Sequence, residues 1–360
     1  MLKRILRQIH LWLSIPLGLI ITVMCLSGAI LIFERDFGHI GQAEIKYEGG
    51  LPLPLDSLLT AADRYLAGKN KITGITIYPD KEHAYRVQLA KPAMAAIWIN
   101  QYTGEITGKY ERAEIFKIAS SAHRRLFGKS KTRGDNGANI GKLIIGITTL
   151  TLLLIIVTGI IIWWPQKGEW RKKLTISTKR GGVRFWHSLH TAGGIYICPI
   201  LIICILTGLN WSFGWYKDGF YGILGSTPPK PLLHNQEAGN FMSWEKAYQE
   251  IATENKTHEI RIYEGEIDIA TYDPGNQQGY DTYRFNTESG TIESFIPYSS
   301  KEKGFKIKGW IYSLHVGSWI GWFTKIIYLV AVITGATLPL TGYYLWIKRL
   351  TLKRKIGALS

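Results

Sequence analysis

Four stretches of the 360-residue chain run for more than twenty residues without a charged side chain: Leu11–Phe33, Leu143–Trp164, Thr191–Trp215 and Ile326–Ile347. About 20 apolar residues in a helix cross the ~30 Å of bilayer hydrocarbon. Inside that layer each backbone N–H and C=O must be satisfied within the protein, which helices achieve segment by segment. The pattern predicts an α-helical membrane protein with four transmembrane helices. A net charge of +16 would otherwise suggest a nucleic-acid binder. With four such segments, nucleic acid is excluded as the partner and the lipid bilayer takes its place.

The position of the charge gives an orientation. Lys3, Arg4 and Arg7 precede the first segment. Seven Lys and Arg between Lys167 and Arg184 face only Glu169, and five more (Lys348, Arg349, Lys353, Arg354, Lys355) follow the fourth segment. Those three pieces carry fifteen basic residues against one acidic residue. The two long connections, 34–139 and 216–319, carry 16 basic against 12 acidic and 10 against 14, which cancel. Short loops rich in Lys and Arg stay in the cytoplasm. Both termini and the middle loop are thus expected inside, and the long connections outside. The first segment is too long for a cleaved signal peptide and has no A-x-A-like site before Glu34-Arg35-Asp36. Cys25, Cys198 and Cys204 all fall in apolar segments and form no C-x-x-C or C-x-x-C-H, which disfavours covalent haem attachment and Cys-ligated metal.

The chain also repeats itself. A shift of 180 puts His10 on His190 and Ser27-Gly28 on Thr207-Gly208. At a shift of 186, Asn100–Ile106 meets Asn286–Ile292. At 176, Val157-Thr158-Gly159 meets Ile333-Thr334-Gly335, and at 192 His123 meets His315. Each half reads helix, outer domain, helix, and both halves start inside, so the expectation is two parallel repeats. The outer domains read as α+β. Helices are predicted over Pro54–Lys69 and Met242–Glu254. Strands are predicted over Tyr85–Leu89, Ala95–Asn100, Glu105–Tyr110, Glu259–Tyr263, Glu266–Tyr272, Tyr280–Asn286 and Thr291–Ile296.

Nine histidines occur, and four fall in repeat-related pairs beside apolar segments: His10 with His190 toward the inner face, His123 with His315 toward the outer face. Polar side chains at membrane depth are costly and usually functional. A lone interfacial histidine is more often a snorkelling or packing residue; four in matched positions favour ligation. Neutral imidazole is a common axial ligand of haem iron. Two pairs, one per face, suit two non-covalent bis-histidine haems. His10 and Gly28, like His190 and Gly208, are 18 residues apart, five turns on one helix face. Gly18, Gly28, Gly159, Gly194, Gly208 and Gly335 would let a flat macrocycle or a neighbouring helix approach. His187, one turn before His190, competes with it but aligns with Arg7 and lacks a repeat partner. His39, His83, His234 and His258 lie in the outer connections without partners. Arg7, Arg124 and Arg125 are candidates for pairing with haem propionates, against their simpler role as interfacial anchors. Trp211, Trp215, Trp310, Trp319 and Trp322 read as an aromatic belt.

These residues carry a resemblance. Ile9-His10 with Pro16-Leu17-Gly18 and Leu26-Ser27-Gly28 is one piece. Ala122-His123-Arg124-Arg125-Leu126 before Gly141 is the next, then Ser188-Leu189-His190 and Ser313-Leu314-His315-Val316-Gly317. In this order, over nearly the whole chain, they resemble the PepSY-associated transmembrane family, iron-regulated inner-membrane proteins that include ferric-siderophore reductases. The Tyr102–Ile106 and Glu288–Ile292 turns are similar to those of PepSY modules. His187 and the insert Lys129–Asn139 depart from the pattern. The resemblance implies a haem b protein passing electrons to ferric iron, with a ferric siderophore as substrate. The expected layout is helix 1 within 1–33, a periplasmic PepSY-like domain over 34–139 and helix 2 over 140–164. A basic cytoplasmic loop covers 165–186, followed by helix 3 over 187–215. A second periplasmic PepSY-like domain covers 216–319, then helix 4 over 320–347 and a cytoplasmic tail over 348–360. No G-x-G-x-x-G follows a strand, and the loop 165–186 has no room for a flavin or nicotinamide domain, so a quinol or a separate cytoplasmic reductase is the expected donor. Two rival readings are an iron-chelate transporter and a haem-free sensor or protease-regulating module. The first lacks broken helices and midplane carboxylates; the second leaves the histidines without a purpose.

Overall fold

The computed structural model describes residues 1–37, 43–91, 95–110, 112–128, 139–165, 167–178, 182–230, 240–255, 257–271 and 275–357. His39 and His234, and residues 129–138 of the insert before Gly141, lie outside the described residues. In chain order, helix α1 (Leu2–Leu31) is followed by α2 (Leu55–Leu66) and strands β1 (Ile72–Ile77), β2 (Tyr85–Leu89), β3 (Ala96–Ile99) and β4 (Ile106–Tyr110). Next come α3 (Glu114–Arg125) and α4 (Ile140–Trp163). The continuous helix α5 (Gly182–Ser212) contains a π turn at Leu189–Gly193, and α6 (Gly214–Ile223) and α7 (Phe241–Ala252) follow it. Strands β5 (Ile260–Tyr263), β6 (Glu266–Ala270), β7 (Tyr280–Phe285) and β8 (Ile292–Ile296) precede α8 (Lys303–Val316) and α9 (Trp322–Gly357). The chain divides into a helical unit (Met1–Glu34, Glu114–Thr227, Ile311–Ser360) and a sheet unit (Arg35–Ala113, Pro228–Trp310).

In the helical unit, α1, α4, α5 and α9 are each long and apolar enough to cross a membrane. They close a ring of contacts: α1 on α4, α4 on α5, α5 on α9, and α9 back on α1. Helix α1 is held to α9 by two side-chain bonds to backbone: Thr22 Oγ1 donates to Ala336 O at 3.1 Å and Tyr343 Oη to Ile15 O at 2.7 Å. Gly18 lies directly under the Tyr343 ring and makes this close approach possible.

The sheet unit is one eight-stranded sheet in the order β4-β3-β2-β1-β5-β6-β7-β8, antiparallel throughout. The sequence reading gives each long connection its own domain. The structure instead joins strands of both connections through the β1–β5 pair, with Thr76 opposite Arg261. Strand β1 is absent from the sequence reading because its Ile-Thr-Gly-Ile-Thr-Ile run is covered on both faces, so no polar alternation marks it. Helices α2 and α7 lie together on one face. Leu55, Leu58, Leu59, Ala62 and Leu66 recur at helical spacing and pack with Trp244, Ala247 and Ile251 on Ile75, Val87, Ile262 and Ile267. Glu245 of α7 accepts a bond from the Leu55 amide at the start of α2 and ties the two helices together. The β3–β4 and β7–β8 turns are built alike. Gly104 and Gly290 take φ of +73° and +71°, and each donates its amide to the Asn carbonyl four residues back, at 2.8 Å.

Both connections end by returning to the helical unit. Helix α3 and the part of α8 from Ile311 onward belong to it, although the sequence reading places these residues in the outer domains. Their position decides where His123 and His315 are delivered.

Candidate functional site

Each of the four paired histidines is presented by one helix and seated on another. His10, on α1, turns its Nδ1 to the Ile155 carbonyl of α4 at 3.0 Å and to Thr158 Oγ1 at 3.1 Å. His190, in the π turn of α5, does the same with Leu338 O at 3.1 Å and Thr341 Oγ1 at 2.9 Å on α9. His123, on α3, meets Met24 O at 2.9 Å and Ser27 Oγ at 3.4 Å on α1. His315, on α8, meets Cys204 O at 3.1 Å and Thr207 Oγ1 at 3.0 Å on α5.

A carbonyl has no proton to give, so each Nδ1 must carry one and donate it. That assigns the tautomer of all four rings and leaves each Nε2 with its lone pair, the arrangement found in metal-binding histidines. The hydroxyls of Ser27, Thr158, Thr207 and Thr341 donate to carbonyls of their own helices, so they too accept from Nδ1.

A glycine follows each hydroxyl residue: Gly28, Gly159, Gly208 and Gly342. The ring edge of the seated histidine lies against it. A Cβ at these positions would sit 3.2, 3.2, 3.1 and 3.5 Å from the Cε1 of His123, His10, His315 and His190 respectively. The recurring unit is therefore a carbonyl, then Ser or Thr three residues later, then Gly.

The seated rings face each other in pairs. The centroids of His10 and His190 are 6.3 Å apart with planes at 79°, and those of His123 and His315 are 6.2 Å apart at 63°. A metal–nitrogen bond of about 2.0–2.1 Å on each side, with about 1.1 Å from nitrogen to ring centre, puts two trans imidazoles about 6.3 Å apart. Both pairs match that spacing. Among the described residues no three or more His, Cys, Asp or Glu side chains gather to hold a metal. Each pair thus offers two protein ligands, too few to cage a bare ion and the right number for iron already held by a macrocycle. Burial, aided in His315 by the neighbouring His123, lowers the basicity of the His123 and His315 rings. It takes His315 down to about 3 and also depresses His123, so both stay neutral, the form that ligates. Along α1, His10 lies 14–18 residues from the Met24–Gly28 seat, about 21–27 Å. The same count separates His190 from Cys204–Gly208 on α5.

The other candidates stand apart from these pairs. His187 is exposed and uses its backbone carbonyl to accept from Thr191. Arg7 and Arg124 are exposed, and Arg125 Nε donates to Gly128 O at 3.2 Å. His83 lies between Tyr78 and Trp98 in the sheet unit, and the His258 ring meets Thr257. Of the Trp belt, Trp211 packs on His315 with ring centroids 5.1 Å apart.

The structure sorts the candidate glycines and corrects one repeat match. The small-residue face is not uniform. Gly28, Gly159 and Gly208 receive histidine edges, whereas Gly18 lies against Tyr343, Gly194 against Leu338 and Gly335 against Cys25, Leu201 and Ile197. The repeat partner of Thr158-Gly159 is also different: Thr341-Gly342 seats His190, while Thr334-Gly335 does not. The four Ser/Thr seats were not among the sequence candidates. Their signal was the recurrent Ser/Thr-Gly step, for which Thr334-Gly335 is a decoy.

Comparison with curated proteins finds no match. Residues 7–349 match the model of the PepSY-associated TM region, so the chain belongs to the PepSY-associated transmembrane family.

Proposed function

We propose that this protein is a di-haem b-type electron conduit of the bacterial inner membrane. In this reading it is a ferric-chelate reductase, with a ferric siderophore as the substrate class and a quinol or a cytoplasmic reductase as the electron source. The observation that carries the reading is the pair of facing imidazoles at each end of the bundle, spaced for one six-coordinate iron, with all four Nδ1–H groups tied to backbone carbonyls. His10 and His190 hold one haem, and His123 and His315 the other. When bound, the haems supply one-electron ferric/ferrous chemistry. The chain's own work is positional. The carbonyls orient each ring and raise the basicity of Nε2, the glycines let the rings seat deeply, and burial excludes water. The roughly 21–27 Å between the sites covers most of the ~30 Å hydrocarbon layer.

The basic segments set the topology: termini and middle loop in the cytoplasm, sheet unit in the periplasm. The two halves are parallel repeats with PepSY-like outer modules. In each half the first membrane helix presents a histidine to the second and seats the histidine of the helix that precedes the second. Reduction of Fe(III) weakens its hold in hard oxygen chelators and releases the metal.

The test is an absorption spectrum of the purified protein, oxidised and reduced, with haem quantified per chain. Two haems with low-spin bands are expected. His10→Ala and His315→Ala should each remove a different half of the haem. A chain that binds no haem refutes the conduit and leaves a haem-free sensing or protease-regulating module.

A further inference from the structure

Helix α6 (Gly214–Ile223) follows the membrane-spanning α5 after a single extended residue, Phe213, at φ −128° and ψ 128°. It does not continue the path of α5. Tyr216 Oη donates to the Leu206 carbonyl, ten residues back, at 2.9 Å. Ten residues of unbroken helix would span about 15 Å, beyond a tyrosine's reach. The first turn of α6 therefore lies beside the last turns of α5. Phe213 fixes the corner with its ring on Gly146 of α4, and Phe213 and Tyr216 both pack on the buried cluster that includes Ile205 and Leu209. The corner is at the His123–His315 end of the bundle, since Trp211, two residues before Phe213, packs on His315. The sequence reading ends a membrane-spanning helix at Trp215; the structure puts Trp215 on a separate helix that turns aside.

Burial along α6 is the reverse of what water selects. Trp215, Gly219, Gly222 and Ile223 fall within one arc of about 100° on the helix. All four are exposed, Trp215 at 66% and Ile223 at 88%. Tyr216 and Phe220, whose ring centroids are 6.0 Å apart, take the adjoining arc and are half-buried. The only charged residues of α6, Lys217 and Asp218, centre on the side opposite the exposed arc. A helix facing water turns its charges outward and its apolar residues in. Ten residues with three glycines also make a helix too weak to persist in water by itself. The exposed arc continues an apolar surface that α5 already presents, where Leu206 and Trp211 are exposed. The first half of the chain has no such helix: α1 is followed by Glu34-Arg35-Asp36-Phe37, three charges in four residues.

We infer that α6 is an interfacial foot, lying along the membrane surface at the His123–His315 end with Trp215 and Ile223 in the boundary between headgroups and acyl chains. The occupant of its open face is phospholipid, because that face adjoins the flank of a membrane-spanning helix at the level of its last turns. An indole suits this boundary, and burial of apolar area there is what holds an amphipathic helix. Lys217 and Asp218 cancel, so attachment is independent of headgroup charge. The foot fixes the depth of the end of α5, which carries the Cys204–Gly208 seat of His315. None of this depends on haem.

The test uses the full-length protein, its own cysteines replaced, in lipid nanodiscs with an environment-sensitive fluorophore on Ile223→Cys, an exposed position, or on Ser299→Cys in the outer connection. Emission at position 223 should shift to the blue, and iodide should quench it about fivefold less than at position 299. Lipids spin-labelled near the headgroup should quench it more than lipids labelled at the acyl-chain end, equally in phosphatidylcholine and in mixtures with phosphatidylglycerol. A second measurement keeps the native cysteines: benzoylphenylalanine in place of Trp215 should, on irradiation, give a phospholipid adduct by intact mass. Iodide quenching equal at both positions would overturn the inference, as would protection from iodide without quenching by spin-labelled lipid. So would protection confined to anionic bilayers, or a photoadduct only with a second copy of the chain.

Discussion

The glycine seats make a quantitative prediction with an internal control. An alanine methyl at Gly208 would stand 3.1 Å from Cε1 of His315 and 3.7 Å from its Nδ1, whereas one at Gly342 would stand 3.5 Å from Cε1 of His190. Optimal carbon–carbon contact lies at about 3.5–4.0 Å. Gly208→Ala therefore pushes the His315 ring back by roughly 0.4–0.9 Å, and Gly342→Ala moves His190 hardly at all. The displaced ring must stretch its 3.1 Å bond to Cys204 O or part α8 from α5. Overpacking a tight site costs about 1–3 kcal/mol, which lowers haem affinity at the outer pair about 5- to 150-fold. Global stability should not fall in parallel, because alanine is better than glycine within a helix by about 0.8–1 kcal/mol. The assay is haem per chain with the low-spin spectrum, alongside thermal unfolding. Gly208→Ala should lose or distort the outer haem at an unchanged unfolding temperature, and Gly342→Ala should keep both. Equal damage from the two substitutions, or none from Gly208→Ala, would refute the seating argument.

Other outcomes follow from the same physics. Thr207→Val removes the hydroxyl but keeps the shape and the carbonyl bond, so the outer site should weaken by about 0.5–1.5 kcal/mol, two- to tenfold in haem retention. Trp244→Ala empties a fully buried site under the sheet and should cost about 3–5 kcal/mol in denaturant unfolding. Burial raises the Asp268 carboxyl to about 6, against the hydrogen bond it accepts from Thr282. A folded-state value above the unfolded one means stability is fully present below about pH 4 and is lost as pH rises through about 6. Asp268→Asn should then gain on the parent by about 1–3 kcal/mol between pH 4 and pH 7.5, and a constant difference across that range would contradict the assignment. Single cysteines placed at Ser177 and at Ser299, in a chain whose own cysteines are replaced, should react with impermeant thiol reagents from opposite faces of the membrane.

Much of this was legible in the linear chain because it is additive and local. Charge-free runs mark membrane helices whatever surrounds them, and Asn100–Ile106 and Asn286–Ile292 form matching turns because glycine at the fifth position takes the left-handed backbone without steric cost. The order of His10, His123, His190 and His315 was visible too. The union of the two outer connections into one sheet was not, since β1 and β5 lie almost two hundred residues apart and nothing local in either strand names its partner.

The seats show most clearly where sequence stops and tertiary structure begins. Composition and periodicity determined four helices long and apolar enough to cross a membrane and four histidines in two matched sets. They did not determine which carbonyl each histidine would meet, across separations of 99 to 148 residues. Thr334 and Thr341 are seven residues apart, so they lie on nearly the same face of α9, about 20° from each other. They differ only in depth, by about 10 Å. Periodicity reports the face of a helix and is blind to depth. Depth is set by how far the π turn and the packing of α5 on α9 lower His190 along the bundle, and that brings it to Thr341-Gly342.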